Sequence, residues 1–168
     1  KNTVSKYLTN LLTDPSQKIQ SEAMALARLL KIEIPGEALI AVAKNESSIP
    51  AIRIEALRAL ATQKNENLPV CIASAFDSKE HSIRIEALKI LANSNSKLAL
   101  DRVEFVLSST KANALEQQTA LTLLGGDLAS AKGDAILNSL LNAFEDYPAS
   151  LKLDLTEAAV TRKLDTPA

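Results

Sequence analysis

The sequence predicts an all-α protein built as a stack of helical hairpins, and three observations lead there. Hydrophobic residues make up 46% of the 168 residues but aromatic ones only 3%, so the interior has to be assembled from Leu, Ile, Val and Ala, a palette that suits closely packed helices. The segment Ile52-Arg53-Ile54-Glu55-Ala56-Leu57-Arg58-Ala59-Leu60-Ala61 returns 31 residues later as Ile83-Arg84-Ile85-Glu86-Ala87-Leu88-Lys89-Ile90-Leu91-Ala92. The four Gly and six Pro fall almost wholly between apolar-periodic stretches, where helix punctuation belongs.

Weaker copies of the repeated segment begin at Ile19, Glu116 and Leu151, so the successive offsets are 33, 31, 33 and 35 residues. A near-constant spacing of this size is the mark of a repeat architecture. Each copy follows another apolar helix-like stretch, at 2–12, 36–44, 67–77, 97–109 and 133–144. The unit is therefore a pair of helices, and the sequence predicts about ten helices in five hairpins, at about 1–31, 36–63, 67–93, 97–125 and 133–164, forming a single domain over 1–168.

Turn formers and capping residues precede each copy: Asp14-Pro15-Ser16, Ser47-Ser48-Ile49-Pro50, Asp77-Ser78-Lys79, Ser109-Thr110 and Tyr147-Pro148-Ala149-Ser150. Proline at these places starts helices. Gly125-Gly126 is expected to end the fourth motif helix by supplying a left-handed residue.

At 100° per residue, Ile52, Ala56, Ala59 and Leu60 form one apolar stripe, which Leu57 and Ala61 widen beyond what one partner helix covers. Neighbouring hairpins must cover the rest, so stacking yields an α-solenoid, with the first helices convex and the second helices concave. Alanines at 56, 59, 87, 120, 158 and 159 permit close approach of helix axes.

The repeated helix, apolar-Arg-x-x-Ala-Leu-x-x-Leu, resembles that of HEAT-like repeats, with Arg53 and Arg84 at the family's arginine position. This resemblance implies a right-handed α-α superhelix. Gln20, Gln117 and Lys152 stand at that position in the other copies, so an arginine ladder would span only the middle. The segment Glu116-Gln117-Gln118-Thr119-Ala120-Leu121, followed by Leu151-Lys152-Leu153-Asp154-Leu155-Thr156-Glu157-Ala158-Ala159, is similar to a narrower class. It resembles the HEAT segment of large exported bacterial proteins that join a propeller-type dehydrogenase domain to a c-type haem domain. That likeness implies a spacer and docking segment, outside the cytoplasm, without the haem site, since no Cys-x-x-Cys-His occurs.

Nineteen Lys and Arg against 20 Asp and Glu leave a formal charge of -1, so no general field attracts nucleic acid or an anionic membrane. No apolar run approaches the roughly 18 residues that cross a bilayer, and the start at Lys1 suggests a piece of a longer polypeptide. The single cysteine, Cys71, excludes an internal disulfide and reads as a small hydrophobe between Val70 and Ile72. His81, in the turn before the third motif helix, lacks a second histidine at ligand spacing, so no metal and no cofactor is expected. Gly125-Gly126-Asp127 and Gly133-Asp134 read as helix caps rather than a phosphate loop or calcium loop, and Glu145-Asp146 as a solvated turn. Asn45-Glu46-Ser47 fits the short N-glycosylation pattern.

The charged residues of the two best copies are the remaining candidates. Arg53 and Arg84 read as structural, their stems packed and their guanidinium groups tying neighbouring turns. On the outward stripe Glu55 with Arg58, and Glu86 with Lys89, form i, i+3 pairs suited to a protein partner. Glu22, Glu55, Glu86, Asp154 and Glu157 make that stripe acidic, with Arg58 and Lys89 offsetting them, which disfavours a DNA-glycosylase-type enzyme of the HEAT-like class. A bilin-lyase-like cofactor module would need an aromatic-lined pocket that this chain lacks the aromatics to build. The sequence therefore predicts a non-catalytic scaffold for proteins or flanking domains, with no nucleic acid and no membrane insertion.

Overall fold

The computed structural model describes residues 2–164, the side chains of residues 2, 3 and 5 aside. These residues form ten α-helices and no strand: α1 (Asn2–Leu12), α2 (Gln17–Leu29), α3 (Gly36–Lys44), α4 (Pro50–Thr62), α5 (Leu68–Phe76), α6 (His81–Ser94), α7 (Ser96–Ser108), α8 (Ala114–Gly125), α9 (Ala131–Asn142) and α10 (Ala149–Thr161). The described residues are all-α. No helix is long and apolar enough to cross a membrane among the described residues. Two compact units divide within α6, Lys1–Ala87 and Leu88–Ala168.

In the first unit α2 packs on α1 and α4 on α3, while α1, α3 and α5 form one row and α2 and α4 another. The second unit has the same arrangement, with α7 on α9 and α8 on α10. Two layers result because each motif helix carries more apolar surface than its own partner covers. Ala56, Leu57, Leu60, Ile83 and Leu124 are wholly enclosed, and Ala120, Ala158 and Ala159 lie buried among such larger residues.

Helix ends follow local chemistry, with two departures from the expected signals. The first is at α8, which starts after Asn113 rather than at Ser109-Thr110. Asn113 Oδ1 accepts from Glu116 N at 2.9 Å, and the Glu116 carboxylate accepts from Asn113 N at 3.0 Å. This reciprocal capping box satisfies two donors the helix cannot satisfy internally. The second concerns Gly126, which lies at φ -120, so it is not left-handed; no described glycine has positive φ. Gly125 serves the packing instead: a Cβ there would lie 3.1 Å from Ala158 Cα, so its bare backbone lets α8 and α10 approach.

The left-handed residues are lysines. Lys31, Lys64 and Lys163 have φ of 51, 51 and 57 just after α2, α4 and α10. In each case the next amide reaches back five residues, Ile32 to Ala27, Asn65 to Leu60 and Leu164 to Ala159, at 2.9, 3.0 and 2.9 Å. This six-residue closure occupies helix carbonyls that would otherwise lack donors. A cation there also complements the helix dipole.

Candidate functional site

The second position of the repeat holds a polar side chain in every copy, and four of the five reach back toward the turn that precedes their own helix. Gln20 Nε2 donates to Asp14 O at 2.7 Å, Arg53 Nε to Ala43 O at 3.0 Å, and Arg84 to Ser78 O and Lys79 O at 2.7 and 3.0 Å. Lys152 reaches the Glu145 carboxylate at 2.6 Å. Ala43 O lies in the last turn of α3, where a carbonyl has no intrahelical donor. Arg53 and Gln20 are buried, so these bonds satisfy groups removed from water. Arg53 and Arg84 each bind backbone carbonyls of the segment before their own helix.

The outward stripe of the first unit carries an alternating charge ladder. Arg28 on α2 lies 4.0 Å from Glu55 on α4, and Glu55 accepts from Arg58 at 2.9 Å. Arg58 in turn grips Glu86 on α6 through two bonds, Nε to Oε1 at 2.7 Å and a terminal nitrogen to Oε2 at 2.8 Å. The Glu86 bond, the largest influence, holds the Arg58 guanidinium well above its ordinary range. Three of the four expected partner-binding residues, Glu55, Arg58 and Glu86, therefore come together. Glu86 takes its bonds from Arg58 of the preceding motif helix, while Lys89 lies exposed beyond the division in α6.

Arg28 is a further residue of the stripe. It sits at the end of α2, in a weak copy whose register hides it from the motif comparison, and it adds a cation beside Glu55. Beneath it lies a groove of about 490 Å³ whose lining includes Met24, Ala27, Ile34 and Ala59, with Arg28 and Glu55 also against it. Its walls are mostly apolar carbon and its rim bears both signs of charge.

The second unit is laced differently. Arg162, just after α10, holds both carboxylate oxygens of Asp134 on α9 at 2.8 and 2.9 Å. Lys132 pairs with Asp101 of α7, holding that carboxylate below its usual range, and stands 4.0 Å from Glu104. Asp154 is half-buried, and its Oδ2 has no hydrogen-bond partner among the described residues.

Cys71 is buried on α5, and burial pushes its thiol above the ordinary value of 9.0 against a smaller opposite pull from Lys44. His81 is the exposed first residue of α6. Among the described residues no three His, Cys, Asp or Glu side chains gather as a metal-binding group. Asn45 is exposed, and its Oδ1 accepts from Ser47 N at 3.0 Å in a local turn. The sequence matches no protein-family model and no curated protein.

Proposed function

We propose that the chain is a non-catalytic scaffold, a run of HEAT-like hairpins of the right-handed α-solenoid class that docks other protein parts. In this reading it serves as a spacer and docking segment of a larger exported redox protein, of the kind its last third resembles. The observation that carries the scaffold reading is the groove beside α2 and α4, apolar along its floor and rimmed by Arg28, Glu55 and Arg58. An amphipathic protein segment meets both needs of such a groove, burying carbon and matching mixed charge, whereas a phosphate backbone would meet Glu55 and Glu33. Arg58 is committed to Glu55 and Glu86, so Arg28, its side chain 78% exposed, and the exposed Lys31 are the lining cations placed to meet a partner carboxylate.

A photo-cross-linking residue placed at position 28 of the full polypeptide tests this, with the exposed position 46 as control. Cross-links to another domain from position 28 and not from 46 are expected. Equal products from both positions, or none, would remove the groove as a docking site. Tight, salt-sensitive binding of labelled duplex DNA would instead restore the glycosylase-type reading.

A further inference from the structure

Motif helices meet along corresponding edges in both units. Counting each copy from its first apolar residue, Arg58 at position seven of α4 binds Glu86 at position four of α6, and Arg28 at position ten of α2 faces Glu55 at position four of α4. In the second unit Gly125 at position ten of α8 lies against Ala158 at position eight of α10. The forward edge of a motif helix is thus positions three, seven and ten, and its rear edge positions one, four and eight. Those sets have the spacing of single helical stripes.

On α10 the rear edge is occupied, with Leu151 and Ala158 at 5% and 4% exposure. Its forward edge is open: Leu153 and Val160 are 71% and 61% exposed, and the exposed Glu157 between them has no ion pair among the described residues. Between α4 and α6, position seven binds position four of the next motif helix. At position seven α10 carries an acid where α4 carries Arg58. Whatever covers this edge in the same way has to bring a cation.

We propose that Leu153, Glu157 and Val160 form a docking edge for a basic amphipathic helix with apolar residues at its first and eighth positions and Lys or Arg at its fourth. This rests on the scaffold reading and gives it a second, chemically defined partner. A second copy of the chain does not fit. Its free rear edge is Ile19, Glu22 and Leu26, with Ile19 and Leu26 at 38% and 41% exposure, and head-to-tail stacking would set Glu22 against Glu157. Like charges in that position oppose the heterologous contact.

The probe is a stapled 13-residue helical peptide with Leu at positions one and eight and Lys at four, beside a twin with Glu at four. Binding is followed by fluorescence anisotropy at low salt, where surface charge is least screened. The Lys peptide should bind about tenfold more tightly than its twin, the range of turning an exposed repulsion into an attraction. Glu157→Lys should invert the preference, and Leu153→Lys should abolish both complexes with unchanged circular dichroism. Equal affinities, or binding of neither peptide, would overturn the proposal. So would concentration-dependent self-association lost in Leu153→Lys, which would make the occupant a second copy. Cross-linking from position 28 reads the α2–α4 groove separately, so its survival alongside a failed peptide titration would remove this edge and leave the scaffold reading standing.

Discussion

Arg58 and Glu86 lie 28 residues apart and face each other through two parallel N–H···O bonds of 2.7 and 2.8 Å. The bidentate fit is one that lysine cannot reproduce. Because the Arg58 side chain is 53% exposed, solvent screens the pair. A double-mutant cycle with Arg58→Ala and Glu86→Ala should therefore give a coupling energy of about 0.5–1 kcal/mol, read by urea denaturation. A coupling near zero would mean that the contact contributes only geometry.

Leu57 is wholly enclosed and Leu88 nearly so. Truncating either to Ala should cost about 2–5 kcal/mol by thermal or chemical denaturation. Leu153→Ala, on an exposed edge, should change stability by less than about 0.5 kcal/mol.

Lys31 and Lys64 hold a conformation that L side chains adopt at a cost of about 1–2 kcal/mol. Replacing either by Gly should stabilise the first unit by about 1 kcal/mol, less what glycine's extra freedom in the unfolded chain takes back. A lower melting temperature in both variants would show that the lysine charge at the helix end outweighs backbone strain.

Gly125→Ala should destabilise by about 1–3 kcal/mol, because the added methyl meets the backbone of Ala158 rather than a movable side chain. Gly126→Ala, whose added methyl would make an ordinary contact at 3.7 Å from Thr122 O, should be nearly neutral. Denaturation of the two variants in parallel checks the assignment of the close approach to Gly125.

Cys71 should resist alkylation at pH 8 in the folded protein and react on unfolding, since the thiolate is the nucleophile and burial disfavours it. The folded thiol has a raised pKa, so its contribution to stability is whole below the ordinary value of 9.0 and declines as pH rises beyond it. Cys71→Ala should flatten that alkaline decline. Rapid labelling of the native protein at pH 8 would contradict the buried placement.

The helix pairs were legible because apolar residues recur at helical spacing and turn residues interrupt them. At α8 the signal Asn113-x-x-Glu116 was present, but Glu116 aligned with the apolar first position of the repeat and its capping role was hidden there. Gly126 misled because a helix-terminal glycine has two uses, left-handed backbone and close packing, and only three-dimensional proximity separates them. The Arg28–Glu55–Arg58–Glu86 ladder was half visible. The i, i+3 pair of Glu55 and Arg58 follows from helix geometry, whereas Arg28 and Glu86 join it only once the register between stacked helices is known.

The ties made by the second repeat position are short in sequence, spanning six residues for Gln20 and Arg84 and ten for Arg53. These side chains can thus make their bonds without waiting for a distant part of the chain. Closing such short loops takes on the order of 10–100 ns. Local ties of this kind can form before distant parts of the chain meet, which is the condition under which folding is fast.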